Sequence, residues 1–203
     1  MVESLSMTDK CCELSVIVSH ILLFIVSLGA TKGTYQVNRG AAAGFLLQAL
    51  TSVLRSAYCL FNPVGLNLED LLPAASWIFT VIGLPLLAFG FHWLSGDHST
   101  ANTILGGGVL LAAGFEYFTE DGRTMMAYAV IATTSVSILI VSIFTGNAYG
   151  ILGSMALSAA GLLSTVKTEA LLVLRKEAAL DCVLAAGTLA FQRSLKIQYL
   201  DFM

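Results

Sequence analysis

The segment MMAYAVIATTSVSILIVSIF, residues 125–144, holds twenty consecutive residues without a charged side chain. A helix rises about 1.5 Å per residue, so a helical segment of this length spans about 30 Å, the thickness of a bilayer's hydrocarbon core. Lipid offers no hydrogen bonds to the backbone, and a helix satisfies its own backbone groups internally. The segment therefore predicts a transmembrane helix.

Six further apolar segments surround this one, separated by short polar connections. The seven predicted spans are 14–30, 40–61, 71–94, 101–118, 125–144, 149–166 and 178–191. The last span is short and contains Asp181, so six spans is the alternative count. Both counts predict an all-α fold, a polytopic helical membrane bundle of about seven transmembrane helices that forms one domain over residues 1–203.

Composition indicates that the main solvent of this chain is lipid. Hydrophobic residues make up 57% of the 203 residues, charged residues make up 11%, and the mean hydropathy is +0.83. A soluble domain carries about 25% charged residues, and no connection here is long enough to form such a domain. The net charge is −3 and basic residues do not cluster, which excludes nucleic-acid binding. The predicted surroundings are a lipid bilayer, with multi-pass integral insertion.

Small residues recur at helical spacing in two of the predicted spans. Helix association in lipid depends on close packing, which glycine, alanine and serine permit. The residues predicted to form helix-packing faces are Gly106, Gly107, Gly108, Ala112, Gly150, Ser154 and Ser158. Packing within one bundle is the favoured interpretation, and contact with a membrane-protein partner or with a second copy in a homo-oligomer is the alternative.

Ionisable side chains inside the predicted spans mark a candidate ligand or ion pathway, because their burial in lipid is costly. Arg55 lies in the second span, His20 in the first, and Glu116 near the end of the fourth. Arg55 could bind an anionic group or pair with Glu116 or Asp181, and its alternative is to extend to the membrane interface. The alternative for Glu116 and Asp181 is a hydrated carboxylate at the membrane interface. The alternative for His20 is a neutral imidazole bonded to a neighbouring helix.

A further polar group, His92, Asp97 and His98, gathers at the end of the third span. It is the candidate centre of a lipid-modifying enzyme, but two histidines six residues apart do not match the spacing of a metal site. The chain also has no nucleophile elbow, phosphate-binding loop or dinucleotide fingerprint. We therefore assign no catalytic residue, metal or cofactor from the sequence.

The four cysteines show neither metal-type spacing nor a disulfide framework. Cys11 and Cys12 precede the first span, where S-acylation is chemically reasonable. The alternative is a pair of buried or interfacial thiols.

Three functional classes fit these features. The favoured one is a multi-pass packing, interaction or accessory protein of a membrane assembly, because the loops are short and intramembrane charge is sparse. The first alternative is a small transporter or channel for a small solute or ion, built on Arg55, Glu116, His20 and the hydroxyl-rich fifth span. The second alternative is an intramembrane lipid-modifying enzyme. The sequence favours a role without catalysis.

Overall fold

A computed structural model describes the backbone of residues 2–61, 71–165, 170–171 and 174–201. Side chains are described for residues 14–60, 71–165 and 175–201.

Seven helical rods account for nearly all of the described chain. The first two are α1 (Val2–Thr34) and α2 (Arg39–Phe61). The third rod is interrupted, since α3 (Leu71–Ile78) passes through a π-helical turn (Phe79–Gly83) into α4 (Leu84–Leu94). The remaining four are α5 (His98–Ala113), α6 (Glu120–Phe144), α7 (Ala148–Thr165) and α8 (Lys176–Asp201).

Short elements connect some of these rods. A 3₁₀ turn, Phe115–Tyr117, lies between α5 and α6. Between α7 and α8, the two-residue strands β1 (Ala170–Leu171) and β2 (Leu174–Arg175) pair antiparallel, with Ala170 opposite Arg175.

The predicted all-α membrane bundle of about seven helices is confirmed. In the described part of the chain, five stretches are long and apolar enough to cross a membrane: Leu14–Thr34, Arg39–Leu60, Leu71–Leu94, Glu120–Phe144 and Ala148–Thr165. The fourth helix stops at Ala113, short of the predicted residue 118, because the chain tightens into the 3₁₀ turn after Gly114. The last helix runs from Lys176 to Asp201, well beyond the predicted 178–191, because contacts with α1 and α7 cover its polar side chains.

Two glycines reverse the chain after helices at the same end of the bundle. Gly96 follows α4 with φ +84°, and Gly146 follows α6 with φ +65°. This left-handed conformation costs glycine little and other residues more, so it ends a helix sharply. Asp97 then begins α5 by accepting the Thr100 N–H at 3.1 Å, which satisfies one of the helix's unpaired donors.

Six of the rods form a ring in which each contacts its two neighbours, in the order α1, α2, α3–α4, α6, α7 and α8. The remaining rod, α5, lies outside this ring against α4. Successive rods run in opposite directions, so α2 and α7 end where α3 and α8 begin. We call this the wide end of the ring, and the opposite end, where α4, α6 and α8 finish, the narrow end.

The narrow end is filled by a hydrophobic seal. Here α4 and α8 meet across the ring, and the rings of Phe91 and Phe191 pack edge to face with their centroids 5.6 Å apart. Phe45 and Leu195 are buried in the same cluster. Gln198 adds a polar tie by donating from Nε2 to the Phe91 carbonyl at 3.2 Å. The described residues therefore close the ring interior at this end.

The residues predicted to form helix-packing faces divide into two groups. Gly108, Gly150 and Ser154 are buried in helix contacts; at Gly108, an added Cβ would stand only 2.2 Å from the Val81 carbonyl oxygen. On α5, the Cβ positions of Gly106 and Gly107 have no neighbouring atom within 4 Å among the residues that the structure describes. Two side chains complete the set, namely half-buried Ala112 and exposed Ser158. The contacts inside the ring are thus closely packed, while part of the outer helix is open.

Candidate functional site

A polar stripe on α2 faces the interior of the ring. Gln48, Thr51, Ser52 and Arg55 are spaced by three and four residues, which places them on one face of the helix. The first three are buried, and Gln48 accepts a hydrogen bond from Thr188 of α8 at 3.1 Å. Arg55 was the member of this stripe predicted to belong to a pathway, although the spacing indicates that all four residues share one face.

Arg55 is the charged member of this stripe. Its guanidinium donates from Nη2 to the hydroxyl of Ser76, on α3, at 3.3 Å. No carboxylate of the described residues lies within ion-pair distance of Arg55, so neither Glu116 nor Asp181 is its partner. Among the described residues, this hydrogen bond uses one of the guanidinium's five N–H donors, which leaves most of them to bind a ligand.

Arg55 also forms part of the wall between two cavities. The larger cavity, which we call the vestibule, lies at the wide end and has a volume of about 470 Å³. The residues lining it are His20, Arg55, Tyr58, Cys59, Leu72, Ser164, Lys176, Glu177 and Leu180. Lys176 is held there by donating from Nζ to the Ser164 carbonyl, 2.7 Å away. The vestibule thus combines two cations with one carboxylate and a histidine.

A smaller chamber of about 170 Å³ follows the vestibule toward the membrane centre and shares Arg55 with it. Its walls include the polar stripe of α2 and the hydroxyls of Ser76 and Thr80 on the third rod. A last gap of about 10 Å³ shares Gln48 with the chamber and reaches Phe191 in the seal. The polar interior therefore narrows steadily from the wide end to the seal.

His20 is paired with a carboxylate inside the ring wall. Its Nδ1 contacts Oδ2 of Asp181, and Ser19 donates its hydroxyl to the same oxygen at 2.9 Å. His20 and Asp181 are 4% and 1% exposed. Among the described residues, Oδ1 of Asp181 has no hydrogen-bond donor. Removing two ionisable groups from water is costly, so this pair is a functional candidate in its own right.

The sequence interpretation of Asp181 as a hydrated group at a helix end is wrong. Asp181 lies in the second turn of α8, and the contact between α8 and α1 buries it against His20. The predicted span began at residue 178, which placed Asp181 at a helix end. The sequence also does not indicate that α1 covers the second turn of α8.

Glu116 lies apart from Arg55 and His20. It is exposed in the 3₁₀ turn after α5, and the lining of the vestibule and chamber does not include it. Another acidic residue, Glu120, lines a separate cavity of about 580 Å³ together with Arg123. The structure thus brings together two of the three residues that the sequence singled out for a pathway.

A second histidine–aspartate pair lies at the narrow end. His92 contacts Ser137 of α6 through Nε2 at 2.6 Å, while its Nδ1 is 3.4 Å from Oδ2 of Asp97. Hydrogen bonds from the side chain and the backbone of Thr100 lower the pKa of Asp97. His98 does not extend this group, because its ring packs against Trp93 with the centroids 4.2 Å apart. Ser137 belongs to the hydroxyl-rich fifth span, but the sequence did not predict its contact with His92.

Cysteines and acidic groups form no further centre in the described part of the chain. Within it, no cluster of three or more histidine, cysteine, aspartate or glutamate side chains is suited to hold a metal ion. Cys59 lines the vestibule, and Cys182 is exposed on α8. The side chains of Cys11 and Cys12, the candidate acylation sites, lie outside the described residues.

The fold and its interior define a polytopic helical membrane protein with a polar cavity inside a ring of helices. The chain is 46% identical over 191 residues to transmembrane protein 276 of Bos taurus and 44% identical over 190 residues to that of Homo sapiens. Each alignment covers 94% of this chain and 96% of the relative. The chain therefore belongs to the transmembrane protein 276 family. No protein-family model matches it, and no solved structure matches it significantly.

Proposed function

We propose that this protein is a small transporter that carries a small anionic solute through the helix ring. The observation that supports this most strongly is the position of Arg55, whose guanidinium has no carboxylate partner among the described residues and borders both the vestibule and the chamber. An arginine in a membrane span is costly unless it serves a ligand or a partner. This favours transport over the accessory role that short loops alone suggest.

The vestibule suits a small anion in charge and in size. A guanidinium binds carboxylate, sulfonate or phosphate groups through two parallel hydrogen bonds, and Lys176 supplies a second positive charge in the same cavity. Binding sites for small molecules commonly measure about 300–1,000 Å³, and the vestibule has about 470 Å³. Glu177 is the counter-charge that keeps the empty cavity from being strongly positive.

The shape of the interior suits access from one side at a time. The cavities narrow from the wide end toward the Phe91–Phe191 contact, which closes the other end. Beside the chamber, the π-helical turn Phe79–Gly83 interrupts the third rod. Discontinuous helices near the membrane centre are typical of transporter binding sites, and π turns often occur at functional positions. Separation of α4 from α8 would open the narrow end.

Uptake into proteoliposomes tests this function. The probes are radiolabelled methanesulfonate and sulfate, whose charges stay constant between pH 5 and pH 8 and which cross lipid poorly. We expect Arg55→Ala to reduce uptake about 10- to 100-fold, because hydrogen bonds to a charged group contribute about 1.5–3 kcal/mol. Arg193→Ala, at an exposed arginine on α8, is the matched control and should leave uptake unchanged. Uptake by the wild type no faster than in protein-free vesicles overturns the proposal.

A second candidate function, an accessory role, is supported by α5. This helix lies outside the ring, and Gly106 and Gly107 have no neighbour within 4 Å of their Cβ positions. Leu110, one turn on, is 76% exposed. Glycines permit close approach of another membrane helix, so the occupant that fits this face is one helix of a partner membrane protein.

Native mass spectrometry after purification in mild detergent tests that role. A second polypeptide at fixed stoichiometry, lost in Gly107→Leu and kept in the Val109→Leu control, would support it. A lone protein, or a partner that tolerates Gly107→Leu, would exclude docking on α5.

A further inference from the structure

The His20–Asp181 pair lies in the wall of the cavity to which we assign anion binding. His20 lines the vestibule, and its Nδ1 is occupied by the contact with Asp181. The other ring nitrogen, Nε2, is therefore the atom left to exchange a proton with the vestibule. Asp181 is fixed by the hydroxyl of Ser19 at 2.9 Å, so the carboxylate holds the imidazole in one orientation.

We propose that this pair is a proton-binding site that loads one proton for each anion bound at Arg55, so that the protein carries an anion and a proton together. This inference rests on the proposed transport function. In the anion-free state of the proposed cycle, the imidazole carries one proton, on Nδ1 toward Asp181, and the pair has a charge of −1. A proton taken from the vestibule onto Nε2 forms the imidazolium and brings the charge of the pair to zero. Its release from Nε2 restores the first state.

The charges around His20 explain why the proton and the anion should bind together. From α2, Arg55, Tyr58 and Cys59 face the same cavity, and from α8 Lys176 and Glu177 do so. The strand β2, which contacts α1, carries exposed Arg175. The cations Arg55 and Lys176 oppose a new positive charge on His20 while the vestibule is empty. An anion offsets them, and by linkage the proton then strengthens binding of the anion to the same degree.

Proton uptake on anion binding tests this inference. Calorimetric titration of the purified full chain with methanesulfonate, in two buffers with different ionisation enthalpies, gives the number of protons taken up per anion. We expect about one proton in the wild type near pH 7. The double variant His20→Gln/Asp181→Asn replaces the pair with two amides that can still hydrogen-bond to each other, so it preserves the fold. It should bind the anion with no proton uptake, whereas His98→Gln, at an exposed histidine, should behave as the wild type.

Each outcome separates the two proposals. Binding of methanesulfonate without proton uptake by the wild type overturns the proton site and leaves the anion site at Arg55 intact. Absence of binding overturns the transport proposal and this inference with it. Proton uptake that persists in the double variant places the proton elsewhere and also overturns the assignment to His20. In proteoliposomes, a pH gradient should then raise anion accumulation about tenfold per pH unit in the wild type and not in the double variant, with the membrane potential held at zero.

Discussion

Two histidine–aspartate pairs lie near opposite ends of this bundle, and they differ in how the chain brings them together. His92 and Asp97 are five residues apart around one turn, and the side chain of Asp97 is 46% exposed. His20 and Asp181 come from the first and last described helices, and both side chains are at most 5% exposed. In the first pair the carboxylate of Asp97 is open to water and only His92 is buried, while protein surrounds both partners of the second pair.

This difference separates a local contact from one that the fold must maintain. Asp97 serves chiefly as the N-terminal cap of α5, and its contact with His92 follows from that position. Asp181 caps no helix; it lies within α8 and reaches its partners only because α1 and α8 pack together. Burial of two ionisable groups is costly, so a functional role is the expected reason for the His20–Asp181 pair.

Asp181→Ala should produce the largest effect on stability. It leaves His20 and Ser19 facing an empty site, and removal of one partner from a buried ion pair costs about 3–5 kcal/mol. We expect a marked fall in the thermal unfolding midpoint in detergent. Asp97→Ala, the matched change at the other pair, should lower the midpoint far less, because the Asp97 carboxylate is already half solvated and His92 keeps its contact with Ser137. Equal shifts in the two variants would show that burial does not distinguish the pairs.

Ser137→Ala should have an intermediate effect. The serine hydroxyl is 2.6 Å from Nε2 of His92, and loss of a partner by a buried polar group costs about 1–3 kcal/mol. The measurement is again thermal unfolding, with Thr133→Ala, an exposed hydroxyl on the same helix, as the control. Anion uptake should stay at the wild-type level in both variants. A loss of uptake in Ser137→Ala would give the narrow end a part in transport that we do not assign to it.

Asp97→Asn should have the smallest effect, and that effect should depend on pH. The folded state lowers the pKa of Asp97 below its ordinary value of 3.8, through its hydrogen bonds with Thr100. A lowered pKa stabilises the folded protein at pH values above 3.8, and this contribution disappears as the pH falls through the folded-state value. The wild type should thus be slightly more stable than Asp97→Asn at pH 6, and this difference in stability should shrink as the pH falls below 3.8. A difference that grows toward acid would contradict this sign.

The spans could be predicted from the sequence because lipid burial demands apolar runs of a fixed length. His20 and Arg55 could be identified as candidates because ionisable groups in such apolar runs are rare and costly. The polar stripe from Gln48 to Arg55 could also have been predicted, because its residues have the spacing of one helix face.

The contacts of these residues could not be predicted, because they depend on which helices become neighbours. Ser19 and Asp181 are 162 residues apart, and no local pattern indicates that α1 and α8 pack together. Lys176 and Glu177 precede the last predicted span, in a charged connection, whereas their side chains line the vestibule of the ring. Sequence periodicity indicates which residues share a helix face, but it does not indicate the order of the helices around the ring.

The packing of α8 against α1 has a consequence for how the protein is made. Helix α8 is not among the stretches apolar enough to cross a membrane by composition, and it brings Asp181 into the bilayer. The ribosome synthesises α8 after the other six rods. Those rods therefore enter the membrane before α8 can cover their polar faces. The contact of Asp181 with His20 and Ser19 therefore closes the ring late in synthesis. A chain released before residue 176 would lack α8 and leave the ring open. Such a form is suited to recognition by membrane quality control.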